Sequence, residues 1–339
     1  MNKQTTFGPG PKTIYIVGPT ASGKTALSID LALAIDAEII CADSQTIRRE
    51  MNIGTAKPSI KEMMGIPHHM LDQIDPYDEY SLAVYQKTAK SAIDDISRRG
   101  KKVIIVGGTG LYIDSLYFNY KLPKLQNPQT LQTPRTLPKL PKESTVEITV
   151  ESTVEIIEPS IEPIEPSAIS IARSHLATRC DLAMLSVEEL QSLIIGRSLE
   201  LPRNNQNPRH LANVLLRNGS VGSHDQPAHG SIIVGVNPGR EVLINRINNR
   251  VDKMFEDGFV DEVRGIVTRH GRPPRFFDAI GYRIVMRMLD GEISEDIAKE
   301  LFKIADRQYA KRQLSWFKRN ENVIWFESPE LAKNYILSL

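Results

Sequence analysis

The sequence predicts an α/β protein: a parallel-sheet core with helices on both faces, plus a mostly helical insertion and C-terminal helices. Two observations predict this fold class. Between residues 13 and 120, short apolar runs alternate with amphipathic segments of helical period, as expected for strand–helix–strand units with right-handed crossovers. The first apolar run also leads directly into a glycine-rich loop and a helix, which is the order in which a phosphate-binding loop (P-loop) is built.

The elements of this core follow in a regular order. TIYIVG is predicted as a strand, followed by the loop and the helix TALSIDLALAI. AEIICADS predicts a second strand, SLAVYQKTAKSAIDDISRRG an amphipathic helix that closes on Gly100, and KKVIIVGGTG a third buried strand. Because ligands of parallel sheets bind beyond the carboxyl ends of the strands, we expect Lys24, Asp43 and Thr109 at one site.

The rest of the chain divides into three segments after the first part of the core (13–120). Residues 121–175 are a Pro- and Glu-rich insert that contains ESTVEI twice, and the repeats favour an extended or disordered segment over a small hairpin. Residues 176–220 are predicted helical, with a serine cap on SVEELQSLI and an Asn-Pro start for NPRHLANVLLRNG. Residues 221–335 complete the core with a long helix interrupted near Gly258 and a basic final helix.

Composition limits the class of protein. The chain of 339 residues has 42 Lys and Arg against 41 Asp and Glu, so its net charge indicates no polyanionic partner. The charge is uneven, however, since residues 264–319 hold 13 Lys and Arg against 7 Asp and Glu. Cys41 and Cys180 lie outside any zinc spacing, and neither a signal peptide nor a membrane span is recognisable. We therefore expect a soluble, cytoplasmic protein with reduced thiols.

The loop GPTASGKT matches the P-loop pattern G-x-x-x-x-G-K-[ST]. Its residues are Gly18, Pro19, Thr20, Ala21, Ser22, Gly23, Lys24 and Thr25. Glycines let successive N–H groups point inward, and the N-terminus of the following helix adds positive potential. Lys24 contributes a charge, and the Thr25 hydroxyl is a candidate ligand for Mg²⁺, directly or through water. The sequence therefore predicts an anionic phosphate as the ligand.

Asp43 is the candidate carboxylate beside this loop. It can serve as a general base or bind Mg²⁺ through water, and the alternative is a turn or cap residue in ADSQT. P-loop NTPases usually place a magnesium-binding aspartate at the end of another apolar strand, but the candidate strand here ends in Gly107 and Gly108. This argues against ordinary ATP hydrolysis. The paired glycines indicate the close approach of a ligand or of neighbouring backbone.

The helix RQYAKRQLSWFKR, residues 307–319, is a candidate nucleic-acid surface. Its basic side chains can bind phosphates, and Tyr309 and Trp316 can stack on bases. The alternative is a solvated basic helix with Trp316 and Phe317 in the core, and composition alone favours that alternative.

Seven motifs together resemble one family. GPTASGKT, ADSQTI, MNIGTAKPS, GIPHHMLD, VIIVGGTGLYIDSL, AIGYR and RQYAKRQLSWF occur in the order and approximate spacing of the bacterial tRNA dimethylallyltransferase (tRNA isopentenyltransferase) family, over residues 13–120 and about 185–335. The resemblance implies transfer of the dimethylallyl group from dimethylallyl diphosphate to N6 of the adenosine 3′ of the anticodon (position 37) in tRNAs that read codons beginning with U. It also implies Mg²⁺ as cofactor, the tRNA anticodon stem-loop as partner, no membrane partner and a monomer.

The resemblance implies roles for individual residues as well. The P-loop would hold the diphosphate, Asp43 would accept an N6 hydrogen, Arg250 would stabilise charge on the leaving diphosphate, and Thr109 would lie near the base. The residues that would contact tRNA are Asp43, Ser44, Gln45, Thr46, Thr109, Arg209, His210, Asn213, Ile280, Gly281, Tyr282, Arg283, Lys311, Arg312, Gln313 and Trp316.

The chain departs from the family pattern at several positions. Arg48 stands where the family usually has a tyrosine after the DS motif. In HLANVLL, His210 and Asn213 replace two arginines and Leu216 replaces an acid, with Arg209 as a partial substitute. These departures predict altered tRNA contacts on that helix, while catalysis is expected to be retained. A small-molecule or nucleotide kinase that uses ATP and an RNA-binding homologue without transfer activity remain the alternatives.

Overall fold

The computed structural model describes residues 11–122, 185–216 and 230–339, apart from 203 and 274–278, together with 182, 223 and 225–227. The described residues up to 120 and from 225 onward belong to one compact unit, and the described residues between 121 and 223 belong to another. The predicted 121–175 insert lies outside the described residues, apart from 121 and 122. Cys180 lies outside them too.

The first unit is built on a parallel sheet. In the described residues its strands are β1 (Thr13–Val17), β2 (Ala37–Cys41), β3 (His68–His69), β4 (Lys102–Val106), β5 (Ser231–Val236) and β6 (Ile324–Phe326). They lie in the order β3-β2-β4-β1-β5-β6, and every neighbouring pair is parallel. The central strands are continuous apolar runs because both faces of a parallel sheet are covered. The predicted α/β fold is confirmed.

Helices cover this sheet and build a second core beside it. In the first unit they are α1 (Lys24–Ile35), α2 (Leu82–Arg98), α3 (Gly110–Tyr117), α6 (Arg240–Glu256), α7 (Phe259–His270), α8 (Ile280–Leu289), α9 (Glu295–Phe317) and α10 (Pro329–Leu337). Helices α4 (Val187–Gly196) and α5 (Pro208–Leu216) belong to the second unit. Residues of α1, α2, α3 and α10 pack with the strands in one core, and α6, α7, α8 and α9 share another around Phe259. In the part of the chain that the structure describes, no helix combines the length and apolarity that a bilayer span requires.

The predicted interruption of the long helix near Gly258 is confirmed. Helix α6 ends at Glu256, and Gly258 precedes α7 with a φ of 97°. This left-handed backbone conformation is readily available only to glycine. The turn allows α7 to pack back beside α6, which brings Glu262 toward the loop that follows β2.

Glu262 fixes that loop. Its carboxylate accepts hydrogen bonds from the backbone N–H groups of residues 52, 53 and 54, at 2.9, 2.8 and 3.1 Å. It also accepts one from the Tyr282 hydroxyl at 2.5 Å. The Glu262 carboxylate on α7 therefore joins the NIG turn of the MNIGTAKPS motif to the Tyr282 side chain on α8.

The described residues of the second unit include the helices α4 and α5. The predicted serine cap is confirmed, because the Ser186 side chain accepts from the Glu189 N–H while the Glu189 side chain accepts from the Ser186 N–H. Leu190 and Leu211 are fully buried where the two helices pack together.

Glu38 on β2 carries the most crowded ion-pair network of the sheet. Its side chain is only 2% exposed, and Arg99 donates to both carboxylate oxygens, from Nη2 at 2.8 Å. His69 Nε2 lies 2.8 Å from Oε2, and Lys101 Nζ lies 3.8 Å from Oε1. The Arg99 hydrogen bonds, first among these contacts, lower the pKa of Glu38 from its ordinary value of 4.5 to about 2.

We expect the free energy of unfolding of Glu38→Gln to depend less steeply on pH, between about pH 4.5 and 2, than that of the parent protein. A carboxylate with a lowered pKa contributes stability that is complete above about pH 4.5 and is lost as the pH falls toward about 2. The free energy of unfolding, measured in urea at several pH values, should fall more steeply across this window in the parent protein than in the variant. Glu292→Gln, which alters an exposed pair with Arg287, is the matched control and should follow the parent. Equal slopes for Glu38→Gln and the parent would contradict this assignment.

Candidate active site

A cavity of about 940 Å³ opens at the carboxyl ends of β1, β2 and β4. P-loop residues 20, 21 and 23–25, residues 43–46, and residues 106–108 line one side of it. Side chains from α6, α8 and α9 line the other. Lys24 and Asp43 therefore share one cavity, as the order of strands and loops predicts.

Lys24 is the cationic side chain of the P-loop, and the residue is half-buried. Its Nζ donates to the Pro19 carbonyl at 2.6 Å. Burial lowers the pKa of Lys24 to about 7; the nearby charge of Asp43 opposes this shift and that of Arg250 adds to it. An anion in the cavity would favour the charged form of Lys24, because an opposite charge stabilises an ammonium group.

The paired glycines at the end of β4 are explained by neighbouring protein groups. A Cβ on Gly107 would lie 2.0 Å from the Ala42 carbonyl oxygen, and a Cβ on Gly108 would lie 2.1 Å from Gln313 Nε2. Of the two interpretations of the sequence, close approach of neighbouring protein is therefore correct. The contact at Ala42 sets the backbone position of the next residue, Asp43.

Gln313 on α9 connects three parts of the site. Its Oε1 accepts from the Thr20 N–H of the P-loop at 2.7 Å, and its Nε2 donates to the Gly108 carbonyl at 3.0 Å. The residue is 5% exposed. The sequence predicts Gln313 as a tRNA contact, but both ends of its amide bind protein backbone, so the structure gives it a positioning role.

Asp43 uses one carboxylate oxygen to shape its own loop. Oδ1 accepts from the N–H groups of Gln45 at 2.8 Å and Thr46 at 3.3 Å. The turn interpretation of ADSQT therefore holds for this oxygen. Among the described residues none donates a hydrogen bond to Oδ2, so this oxygen is available for a group in the cavity. Both interpretations of Asp43 are compatible, one for each oxygen.

Two arginines of α6 face the P-loop. Arg250 donates from Nη2 to Asp306 Oδ2 at 2.6 Å, and Asp306 is 8% exposed. Arg246, one helical turn earlier, lies with Nη1 3.4 Å from the Ala21 carbonyl. Both line the cavity. Neither Arg246 nor Asp306 is among the site residues predicted from the sequence. The i,i+4 spacing in RINNR indicates Arg246 once Arg250 is assigned, because such residues share a helix face.

Thr109 acts one step behind the cavity wall. Its Oγ1 accepts from the Ser44 N–H at 3.0 Å, and its side chain is hydrogen-bonded to Tyr309. Burial raises the pKa of the Tyr309 hydroxyl, and the negative charge of Asp43 adds to the rise. Tyr309 itself lines the cavity. The neutral hydroxyl of Tyr309 is thus hydrogen-bonded to Thr109, and Thr109 in turn is hydrogen-bonded to Ser44, the residue next to Asp43.

The AIGYR motif is divided between core and surface. Tyr282 is 3% exposed, and its hydroxyl donates to Glu262. Gly281 is buried against Phe302, whereas Ile280 and Arg283 are exposed. All four are predicted tRNA contacts, which stays a prediction; Tyr282 and Gly281 line the cavity and also pack in the helical core.

The basic helix α9 is likewise divided. Lys311 and Arg312 are exposed, and Arg312 lies 5.8 Å from the centre of the Tyr309 ring. Trp316 packs against Gly110 and donates from Nε1 to Asp114 Oδ2 at 2.7 Å. The predicted tRNA contact Trp316 therefore joins α9 to α3, and Phe317 is buried beside it, as in the solvated-helix alternative.

The departures from the family pattern have different structural contexts. Arg48 donates from Nη1 to the carbonyls of Pro76 at 2.7 Å and Asp78 at 2.8 Å, so it braces the loop before α2. His210 is exposed on α5 of the second unit, and Asn213 is half-buried there. The side chain of Arg209 lies outside the described residues.

Two residues of the cavity, Thr25 and Asp43, are candidate ligands for a magnesium ion. Within the described ranges, no group of three or more His, Cys, Asp or Glu residues could hold a metal ion. Thr25 and Asp43 line the same cavity and offer one hydroxyl and one carboxylate. Mg²⁺ is commonly held by one or two carboxylates together with substrate phosphates and water.

Fold and site together define a P-loop α/β protein in which a cationic loop faces a carboxylate across one cavity. The model of the IPP transferase family matches residues 46–320, and the chain belongs to this family. The tRNA dimethylallyltransferases of Bacillus mycoides (strain KBAB4) and Staphylococcus haemolyticus (strain JCSC1435) are each 34% identical to it. The matches cover 95% and 96% of this chain and 92% and 90% of theirs.

Solved structures agree with this assignment. The full-length tRNA isopentenylpyrophosphate transferase of Bacillus halodurans is 28% identical, covers 97% of this chain and 96% of its own, and superposes with a TM-score of 0.64. The corresponding enzyme of Staphylococcus epidermidis is 31% identical over 97% and 98% of the two chains, with a TM-score of 0.62. A eukaryotic dimethylallyltransferase acting on tRNA, 21% identical, shares the fold with a TM-score of 0.68 over 97% of this chain and 77% of its own.

We expect pyrophosphate binding to be linked to protonation of Lys24. In the free protein the pKa of Lys24 is about 7, so at about pH 8.5 the amine is mostly neutral, and an anion that raises this pKa must bring a proton with it. Calorimetry in buffers of different ionisation enthalpy should show about one more proton taken up by the parent protein than by Lys24→Arg, whose charge persists at this pH. The difference should vanish near pH 5.5. Equal proton uptake by the two proteins at both pH values would contradict the pKa of Lys24.

Proposed function

We propose that the protein is a tRNA dimethylallyltransferase. It would transfer the dimethylallyl group from dimethylallyl diphosphate to N6 of the adenosine at position 37, 3′ of the anticodon, in tRNAs that read codons beginning with U. The observation that carries this proposal is the placement of Lys24 and Asp43 in one cavity. Membership of the IPP transferase family supports it.

The donor half of the reaction belongs to the P-loop. Lys24, Arg246 and Arg250 would face the diphosphate, and Asp306 would hold the Arg250 guanidinium in place through the 2.6 Å contact. Thr25 would hold Mg²⁺ together with the diphosphate, and the ion would supply positive charge that offsets part of the leaving-group charge. As the bond between the allylic carbon and oxygen breaks, the electron pair leaves with the diphosphate, where these cations are already placed.

The acceptor half belongs to Asp43. The N6 amine is a weak nucleophile because its lone pair is delocalised into the purine ring. As the new bond from N6 to the allylic carbon forms, one N6 proton passes to Asp43 Oδ2, while Oδ1 keeps its contacts with Gln45 and Thr46. The products are the N6-alkylated adenosine, diphosphate and a proton, so atoms and charge balance.

The tRNA must present the adenine outside its stack. Flipping a base from an anticodon loop costs roughly a few kcal/mol. Exposed side chains near the cavity, Ile280, Arg283, Lys311 and Arg312, would contact the loop and its phosphates. The anticodon stem-loop is therefore the proposed recognition element, with a monomeric protein acting in the cytoplasm, where tRNA is modified.

An ATP-dependent kinase is the competing use of a P-loop. It would need a carboxylate for Mg²⁺ at the end of β4, but that position is occupied by Gly107, whose neighbourhood is filled by Ala42. The kinase hypothesis predicts ATP turnover that Lys24→Ala abolishes. An RNA-binding homologue without activity would bind the stem-loop and transfer nothing.

The deciding experiment is a transfer assay. The protein, Mg²⁺ and dimethylallyl diphosphate labelled in the alkyl group are incubated with an anticodon stem-loop that carries adenosine at position 37. Label should enter the RNA and appear at N6 of that nucleoside after digestion. A stem-loop with guanosine at position 37 is the matched control and should remain unlabelled. RNA without label, or ATP turnover in place of transfer, would remove the proposal.

Asp43→Asn should lower the turnover number by about 10²–10⁴, the usual contribution of a general base. The amide keeps an oxygen that can accept from Gln45 and Thr46, so the loop should retain its shape while the base is lost. The affinity for pyrophosphate, measured by calorimetry, should change less than about threefold, since one hydrogen-bonding oxygen remains. A parallel loss of pyrophosphate affinity and turnover would indicate that Asp43 holds metal or structure rather than the N6 proton.

A further inference from the structure

We propose that His68 Nε2 is a specificity-determining hydrogen-bond acceptor for the flipped adenosine, in a subsite with Gln45 and Thr46, two of the tRNA contacts that the family resemblance implies. The inference rests on the proposed function and adds to it the side of the cavity that recognises the nucleoside. The group recognised is an N–H or O–H donor of that nucleoside, either the amino group of the base or the 2′-hydroxyl of its ribose.

The subsite is marked by buried polar atoms that lack partners. Gln45 Oε1, Thr46 Oγ1 and His68 Nε2 are buried and have no hydrogen-bond partner among the described residues. All three residues line the cavity, and Thr46 is only 8% exposed. A buried polar group without a partner costs about 1–3 kcal/mol, so three such atoms in residues that line one cavity point to a ligand that supplies their hydrogen bonds.

The protonation state of His68 follows from its other nitrogen. Nδ1 lies 2.8 Å from the Ile66 carbonyl oxygen, and because a carbonyl only accepts, Nδ1 carries the hydrogen. Burial lowers the pKa of His68 below its ordinary value of 6.5, which favours the neutral ring near pH 7. In a neutral imidazole with a protonated Nδ1, Nε2 is an acceptor.

The two substrates differ in what they can offer such a wall. Dimethylallyl diphosphate has phosphate oxygens that accept hydrogen bonds and an apolar tail, so its ionised form donates none. Its complement is the P-loop side of the cavity, where Lys24, Arg246 and Arg250 supply donors. The acceptors Gln45 Oε1 and His68 Nε2 can be satisfied only by a donor, and the nucleoside has amino and hydroxyl hydrogens. Hydrogen-bond polarity therefore divides the cavity between the two substrates.

The backbone places His68 where this division requires. His68 lies on β3 and pairs with Ile39 of β2. Strand β2 leads to Asp43, so the two residues enter the cavity from neighbouring strands. Its neighbour His69 contacts Glu38 instead, with Nε2 2.8 Å from Oε2. Adjacent residues of a strand point to opposite faces, so the two histidines serve different structures and His69 provides a natural comparison.

Two substitutions separate recognition from structure. In His68→Asn, the amide can keep the Nδ1-like donor to the Ile66 carbonyl but cannot reach the position of Nε2. In His68→Gln, the longer side chain can replace Nε2 but not Nδ1. We expect kcat/KM for the stem-loop to fall about tenfold in His68→Asn, the loss for one hydrogen bond, and to stay within about threefold of the parent in His68→Gln. The KM for dimethylallyl diphosphate should be unchanged in both variants.

A structural role for His68 gives the opposite order, with His68→Gln impaired and His68→Asn active, and that result would overturn the proposal. Thermal unfolding of both variants, compared with His69→Gln, shows whether a loss of activity follows a loss of stability. If His68→Asn matches the parent in kcat/KM, the subsite is absent while the proposed transferase function stands. If the parent itself transfers no label, the proposed function fails.

Binding of two modified stem-loops identifies the donor group. One carries 2′-deoxyadenosine at position 37 and lacks the ribose hydroxyl, and the other carries N6-methyladenosine and lacks one amino hydrogen. The analogue whose affinity penalty in the parent disappears in His68→Asn has lost the group that His68 accepts. Penalties that are equal in parent and variant for both analogues would overturn the proposal.

Discussion

The site depends on the close approach of β2, β4 and α9 at a pair of glycines. Gly107 and Gly108 have no room for side chains, because the Ala42 carbonyl and the Gln313 amide fill the space where a Cβ would stand. Gln313 extends this contact to the P-loop through the Thr20 N–H. The P-loop, the end of β4 and helix α9 are thereby joined by hydrogen bonds. Such contacts fix the geometry of a preorganised site.

Local patterns predicted the parts of the site that the chain builds from consecutive residues. The P-loop sequence indicated the anion-binding role of Lys24, and the strand ends indicated a shared location with Asp43. The same patterns could not separate Gln313, Trp316 and Tyr282 from RNA contacts, because amide and aromatic side chains serve both recognition and packing. Their partners lie far away in the sequence; for Gln313 and Thr20 the separation is 293 residues. Periodicity carries no information about such pairs.

The helical part of the site likewise contains a contact that sequence motifs could not predict. Arg250 could be assigned through a family resemblance, but its partner Asp306 sits on a different helix, 56 residues later. Asp306 matters because a cation near Lys24 is costly to keep in place, and the carboxylate offsets part of that repulsion. The electrostatics of the site therefore depend on how helices α6 and α9 pack together. A motif on either helix alone identifies only one partner of the Arg250–Asp306 ion pair.

Lys24 links this electrostatic design to catalysis. With a pKa of about 7, the amine is close to the midpoint of its titration near neutral pH, so an anion bound in the cavity would raise its charge. In the proposed reaction, negative charge on the diphosphate grows as the allylic bond breaks, so the ammonium form of Lys24 would be favoured most at the point where it stabilises the leaving group most. An interaction that strengthens toward the transition state raises turnover, whereas one that is equal in the bound substrate raises only affinity. In the proposed reaction, a lysine with a pKa near 7 close to Arg246 and Arg250 would thus favour departure of the diphosphate over its retention.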